Sequence, residues 1–168
     1  TSIFFRIYSD ISPGGNIAAF HTETGRLMGA CFYHPREYHV SLGIMAVHPN
    51  WAGHGVARAM VDYIIDYTRK NNYKALRLVN SAMNLDSFSL YNRSGFVPRE
   101  TYQDMIINVP ENGIEAGPVP GTENVREAEP ADVEGMGELE MEVGGIKRAV
   151  DYRYGIENPR GVMHATVY

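Results

Sequence analysis

The stretch Met45–Met60 constrains the fold of this chain more than any other part of the sequence. An apolar strand runs into a glycine-bearing turn, which leads at once into an amphipathic helix. Gly53 and Gly55 permit the tight backbone conformations and the close ligand approach that such a turn requires. Backbone N–H groups then point at one spot beside the positive end of a helix dipole, so a phosphate or pyrophosphate is the expected ligand. The helix carries apolar residues at three- and four-residue spacing, namely Val56, Met60, Ile64 and Ile65.

Length and composition indicate one ordinary globular domain, or one domain and a piece of another. The chain has 168 residues, of which 44% are hydrophobic and 21% charged. It contains no apolar run long enough to span a membrane and no signal peptide pattern, so we expect a cytoplasmic protein. Cys31 stands alone in the apolar run 27–33, which predicts a small buried residue and excludes a disulfide framework.

Charge and motif spacing exclude several classes of function. The net charge is −5, with +2 in residues 1–110 and −7 in residues 111–168, so a nucleic-acid surface is not expected. The histidines show no metal-binding spacing, and we predict no metal site. A dinucleotide fingerprint needs a third glycine where Arg58 stands, and the Gly-Lys-Ser/Thr of a nucleotide-binding P-loop is absent.

Apolar periodicity and turn residues divide the chain into three parts. Residues 1–109 begin with a turn or linker signal at 12–15. Strands are predicted at 17–21, 27–33, 40–47, 75–79 and 101–109, and helices at 55–70 and 85–93. Residues 110–122, with three prolines and three glycines, read as a linker. Residues 123–168 predict a strand at 124–128, helices at 130–143 and 146–154, and a strand at 162–168.

Two motifs resemble those of the GNAT superfamily of acyl-CoA-dependent N-acetyltransferases, over about residues 16–109. The first is Val47-His48-Pro49 followed by Ala52-Gly53-His54-Gly55-Val56-Ala57. The second places Asn84, Ser87, Leu90-Tyr91 and Gly95-Phe96 at the family's spacing. The resemblance implies an α/β fold with a mixed, mostly antiparallel central sheet flanked by helices, and acetyl-CoA as the cosubstrate.

The resemblance also implies roles for individual residues. Tyr91 is the expected general acid, which returns a proton to the departing CoA thiolate. Asn84 contacts the pantetheine arm, caps the following helix, or does both, with Ser87 beside it. The backbone amide of Val47, flanked by Ala46 and His48, polarises the thioester carbonyl. The pyrophosphate is held by the turn, whose residues are Ala52, Gly53, His54, Gly55, Val56, Ala57 and Arg58.

One position departs from the family pattern. The family's Arg or Gln at the start of the phosphate turn is Ala52 in this chain. Loss of one charge-assisted hydrogen bond costs about 1.5–3 kcal/mol, which weakens cofactor binding without abolishing it. Trp51 and Arg58 are the candidates to compensate.

The general base has several candidates on the strands that face the cleft. Relatives often use a Glu or a water-linked His there, and this chain offers Glu37, His39 and His48. His39 alternates with Ser41 and Gly43, so these three positions share one face of the strand. We select His39, acting through water.

The sequence therefore predicts transfer of an acetyl group from acetyl-CoA to a primary amine, on a small molecule or a protein, without nucleic-acid or membrane partners. The alternative is a non-catalytic acyl-CoA-binding or regulatory domain. Residues 123–168 resemble the opening elements of a GNAT domain, which residues 1–109 lack. They belong either to a second domain of a tandem protein or to a permuted or swapped single fold, and a homodimer is also compatible with this pattern.

Overall fold

The computed structural model describes residues 2–103, 105–114 and 117–168. Its helices and strands, in chain order, are α1 (Ser2–Ile11), β1 (Asn16–Phe20), β2 (Leu27–Pro35), β3 (His39–Val47), α2 (Val56–Lys70), β4 (Ala75–Arg77), α3 (Leu85–Arg93), β5 (Arg126–Glu127), α4 (Val133–Gly144), α5 (Ala149–Glu157) and β6 (Thr166–Val167).

A mixed sheet forms the centre of the molecule. Its four strands lie in the order β1-β2-β3-β4, and a separate antiparallel pair joins β5 to β6. The first three strands are antiparallel, while β4 runs parallel to β3 because the crossover helix α2 connects them. This arrangement confirms the predicted fold class.

The hydrophobic core lies between the sheet and α2. Val56, Met60, Val61 and Ile64 of α2 pack against alternate residues of β2 and β3, which are Cys31, Tyr33, Val40 and Leu42. Cys31 is 1% exposed, and burial raises the pKa of its thiol to about 12. The prediction of a small buried residue at this position is confirmed.

The opposite face of the sheet is covered by α1 and by the C-terminal helices. Tyr8 of α1 packs edge-on against Phe32 and His34 of β2. Tyr154 of α5 donates a hydrogen bond to Asp10 at 2.8 Å. Two ion pairs hold the same segment, since Arg160 also binds Asp10 and Arg36 binds Asp151, each at 2.6 Å.

The predicted strand at 101–109 is wrong for the residues that the structure describes. Residues 101–103 and 105–109 form neither helix nor strand. Met105, Ile106 and Ile107 are 90%, 94% and 71% exposed. Their side chains therefore lack the packing contacts through which apolar and β-branched residues stabilise a strand. Strand propensity alone does not order a segment that lacks a pairing partner.

The ends of the chain also differ from the predictions. Residues 2–11 form a helix that we did not predict, and it buries Ile7 against the sheet. The strands predicted at 124–128 and 162–168 shorten to two residues each, because β5 and β6 pair only at Arg126↔Val167 and Glu127↔Thr166. Among the described residues, no helix is long and apolar enough to cross a membrane.

Candidate functional site

Strands β3 and β4 stop pairing part-way along β3, and we call the space beside the unpaired edge of β3 the groove. The two strands pair only from His39↔Ala75 to Ser41↔Arg77. Directly beyond this point β3 carries a bulge. Tyr33 pairs with Leu42 and Cys31 pairs with Met45, so two residue steps on β2 lie opposite three on β3. From the bulge to Val47, the second edge of β3 pairs with no strand in the described part of the chain.

Backbone groups of β3 point into this groove. The N–H of His48 donates to the carbonyl of Met28 at 2.8 Å, which makes this pair a hydrogen-bonded one. Hydrogen-bonded and non-bonded pairs alternate along an antiparallel ladder, so the next pair, Val47↔Gly29, is non-bonded. The N–H of Val47 is therefore directed away from β2 and towards the groove, as is that of Met45.

The glycine turn lies at the end of the same strand. Gly53 and Gly55 have φ of 77° and 80°, a backbone region that disfavours other residues. Gly55 caps α2 without a side-chain hydrogen bond, so the first N–H groups of the helix remain available to an anion. A Cβ placed on either glycine would meet no atom within 4 Å, which leaves room for a ligand.

The side chains around the turn are partly engaged. The Nδ1 atom of His54 lies 2.9 Å from the carbonyl oxygen of Ala52, and Trp51 packs between His21 and His54. Arg58 forms an ion pair with Asp62 at 2.9 Å and donates to the carbonyl of Arg93 at 3.1 Å. Arg58 thus ties the start of α2 to the end of α3 in this conformation, instead of reaching over the turn.

The second motif builds α3 and fixes Tyr91. The side chain of Asn84 accepts a hydrogen bond from the N–H of Ser87 at 3.2 Å and so caps the helix. Gly95, with φ of 91°, ends the helix in a Schellman motif, in which the N–H of Phe96 donates to the carbonyl of Tyr91 at 3.0 Å. The rings of Tyr91 and Phe96 are also in contact. Helix capping thus gives a structural reason for three positions of the motif, which are Asn84, Gly95 and Phe96.

Tyr91 lies in the core cluster between α2 and the sheet. It is 9% exposed, and burial, followed by the nearby Cys31, raises the pKa of its hydroxyl. The hydroxyl makes no hydrogen bond to the described residues. A phenol in this environment stays protonated at neutral pH, which a general acid requires.

His39 faces the other side of the sheet. Val40 belongs to the cluster around Tyr91, so the side chain of His39 points to the opposite face. It is 3% exposed, and its Nε2 lies 3.1 Å from the Oγ of Ser41, which confirms that these two residues share a face. Burial, followed by Arg77 and Arg36, lowers its pKa, so the ring is neutral at pH 7. The structure does not bring His39 into contact with Tyr91.

The other candidate bases lie elsewhere. Glu37 is exposed in the loop between β2 and β3, where its negative charge raises the pKa of the neighbouring Tyr38. The Nδ1 of His48 accepts a hydrogen bond from the N–H of Asn50, so His48 caps the short 3-10 helix Pro49–Trp51.

Sequence reasoning missed His34 and Arg77. His34 is 5% exposed, and burial lowers its pKa to about 4. It packs over the bulge so closely that a Cβ on Gly43 would lie 2.8 Å from its Nε2. Arg77 stands in an otherwise apolar strand, and a charged residue in such a run is a signal that could have identified it.

No cluster of metal-ligating side chains occurs within residues 2–103, 105–114 and 117–168.

The sequence model of the Acetyltransferase (GNAT) family matches residues 2–96. The chain belongs to this family. The match covers both motifs and all the groove residues described above. Most GNAT proteins are enzymes that use acyl-CoA.

Other comparisons agree on the fold. The chain is 26% identical to the UPF0157 protein YqkA of Bacillus subtilis over 92 residues, which cover 55% of this chain and about a quarter (26%) of that relative. The NatC complex bound to Gag peptide and CoA aligns with a TM-score of 0.53 and 20% identity, over 60% of this chain and 68% of the other. A mutant BH1408 protein from Bacillus halodurans aligns with a TM-score of 0.52 and 16% identity, over 62% and 73%.

Proposed function

We propose that this chain transfers an acetyl group from acetyl-CoA to a primary amine. The observation that carries the proposal is the unpaired edge of β3, which runs from the bulge to the glycine turn. The pyrophosphate binds the N–H groups at the start of α2, and the pantetheine arm lies along the β3 edge. The thioester carbonyl accepts a hydrogen bond from the N–H of Val47, which is fixed before the reaction begins.

The chemistry is a direct displacement on the thioester. The amine nitrogen attacks the carbonyl carbon, the C–S bond breaks, and the CoA thiolate takes the proton of the Tyr91 hydroxyl. The nitrogen gives up its extra proton through a chain of waters and Ser41 to the Nε2 of His39, and proton exchange with solvent then restores the Tyr91 hydroxyl and the neutral His39 ring. Binding both substrates in one groove supplies much of the rate, because it converts a bimolecular step into a unimolecular one.

Two measurements test this proposal in sequence. Calorimetry with acetyl-CoA comes first, and the absence of heat at millimolar concentration would contradict both the enzyme and the cofactor-binding domain. A thiol-release assay with a panel of amines comes next. Turnover of at least one amine, lost in Tyr91→Phe, is the expected result.

The second candidate is a non-catalytic acyl-CoA-binding domain. The observation that favours it is the turn itself, where Ala52 offers no polar side chain and Arg58 is engaged with Asp62 and Arg93. This candidate predicts binding heat without thiol release for any amine in the panel.

A further inference from the structure

A cavity of about 420 Å³ lies where β3 and β4 begin, beside the C-terminal end of α4. We call it the basic cavity, and its lining residues are Tyr38, His39, Lys74, Ala75, Arg77, Met141, Gly145 and Ile146. Its volume lies within the range of pockets that hold small molecules. The C-terminal segment supplies three of these residues, so the sheet alone does not form the cavity.

The charge in the basic cavity is unbalanced. Lys74 and Arg77 line it, and no carboxylate does. The nearby Glu140 is already engaged, because it accepts a hydrogen bond from the Nε of Arg148 at 2.6 Å. Two cationic side chains without an acidic partner in one concave site favour an anionic ligand.

Hydrogen-bond donors in the cavity are also unused. Arg77 donates from Nη1 to the carbonyl of Gly144 at 3.1 Å, and within the described residues its other N–H groups have no partner. The Nδ1 of His39 is buried and likewise without a partner there, while its Nε2 is paired with Ser41. A guanidinium with free N–H groups matches the two oxygens of a carboxylate.

The basic cavity adjoins the groove in which the reaction is proposed. Arg77 pairs with Ser41, the last residue at which β3 and β4 are joined. From Ser41 to Val47, whose N–H is assigned to the thioester carbonyl, the strand runs for roughly 20 Å. A ligand anchored at Arg77 reaches the thioester only if a chain of comparable length, such as an extended short peptide, separates its carboxylate from its amine.

We propose that the basic cavity binds the carboxylate of the amine acceptor, and that the acceptor is a short peptide long enough to reach from this cavity to the thioester. This inference rests on the proposed function. A carboxylate that accepts a hydrogen bond from the Nδ1–H of His39 leaves Nε2 unprotonated, which is the state that accepts a proton through Ser41. Acceptor binding and base orientation are thereby coupled.

Binding of product analogues tests the cavity without any turnover. The full chain, labelled with ¹⁵N, is titrated with 6-acetamidohexanoate and with its uncharged amide, and dissociation constants are read from the backbone amide signals of β3 and β4. We expect the carboxylate to bind at least tenfold more tightly than the amide. Arg77→Gln should abolish this preference, and Lys70→Gln, which changes an exposed cation outside the cavity, should preserve it.

A second variant covers the case in which Arg77→Gln fails to fold. Lys74 is exposed, so Lys74→Gln should fold and should weaken carboxylate binding severalfold while leaving amide binding unchanged. Equal affinities for carboxylate and amide in the wild-type chain would overturn the inference. Carboxylate binding that survives both substitutions would overturn it as well.

Calorimetry with acetyl-CoA on the same sample separates the two proposals. Cofactor binding without a carboxylate preference would contradict the inference about the basic cavity and leave the proposed acetyltransferase function intact. A carboxylate preference without cofactor binding would contradict the proposed acetyltransferase function, although the basic cavity would still bind carboxylates. If both bind, we expect kcat/KM for hexaglycine to exceed that for its C-terminal amide at least tenfold, and Arg77→Gln to lower it mainly through KM.

Discussion

Tyr91→Phe tests the proposed chemistry without disturbing the fold. The ring of Tyr91 fills the core cluster and contacts Phe96, and phenylalanine preserves both contacts. The hydroxyl makes no hydrogen bond to the described residues, so its removal breaks none of them. We expect the free energy of unfolding in urea to change by less than about 0.5 kcal/mol.

The same substitution should have a large effect on turnover. A positioned general acid contributes about 10²–10⁴-fold to a rate, equivalent to about 2.7–5.4 kcal/mol of activation free energy. We expect kcat to fall by that factor in a thiol-release assay, with the dissociation constant of acetyl-CoA unchanged within about twofold. Because burial raises the pKa of Tyr91, the acid form persists in alkaline solution, and the wild-type rate should not decline at high pH until that raised value is passed.

Tyr154→Phe is the matched control. Tyr154 is 8% exposed, close to the 9% of Tyr91, but its hydroxyl donates to the Asp10 carboxylate at 2.8 Å. This variant should unfold at a lower urea concentration than the wild-type chain and keep its kcat. The reasoning is refuted if Tyr91→Phe retains wild-type kcat, or if the two variants lose activity in proportion to their lost stability.

Three further predictions concern the turn, the bulge and the buried histidine. Ala52→Gln restores a polar side chain at the phosphate turn, and calorimetry should show acetyl-CoA binding about tenfold more tightly; unchanged affinity would mean that the turn's backbone alone sets it. Gly43→Ala places a Cβ 2.8 Å from the Nε2 of His34 and should cost about 1–3 kcal/mol in urea unfolding, whereas Gly135→Ala, in open space on α4, should stabilise by about 0.5–1 kcal/mol. Because the pKa of His34 is lowered from 6.5 to about 4, the unfolded chain binds more protons between these values, and stability should fall by up to about 3 kcal/mol from pH 6.5 to pH 4; His34→Gln should flatten this slope.

The parts of the fold that local sequence determines were predictable. The bounds of α3 match the prediction, because Asn84 at its start and Gly95 at its end are local signals with a defined backbone consequence. The start of α2 agrees within one residue for the same reason. These two elements carry five of the thirteen residues that we assign to cofactor binding, and their cap residues Gly55 and Asn84 add two more.

Features that depend on contacts distant in sequence could not be predicted. The strand pattern at 101–109 meets the local criteria, but no strand pairs with its described residues. The basic cavity combines positions near 38, 74–77 and 141–146, and no periodicity relates these segments to one another. His34 gave no local signal because its environment is set by Gly43, which lies on the neighbouring strand, and by Tyr8 of α1.

The assignment of Asn84 shows how a family motif and a physical signal overlap. Its side chain caps α3, so the presence of Asn at this position of the motif has a structural reason even without a ligand. A contact between Asn84 and pantetheine therefore stays a prediction. Tyr91 differs in this respect, because its hydroxyl makes no hydrogen bond to the described residues, and its role as the general acid likewise stays a prediction.

The two sides of the proposed site depend on different kinds of group. On the cofactor side, the donors are backbone N–H groups at Val47 and at the start of α2, and side-chain substitutions cannot remove them. This explains how the chain could tolerate Ala52 and still bind acetyl-CoA. On the acceptor side, the donors are the side chains of His39, Lys74 and Arg77, against a wall formed by the C-terminal segment. Substitutions on that side should therefore change which amine is acetylated, whereas substitutions at the turn should change how tightly the cofactor binds.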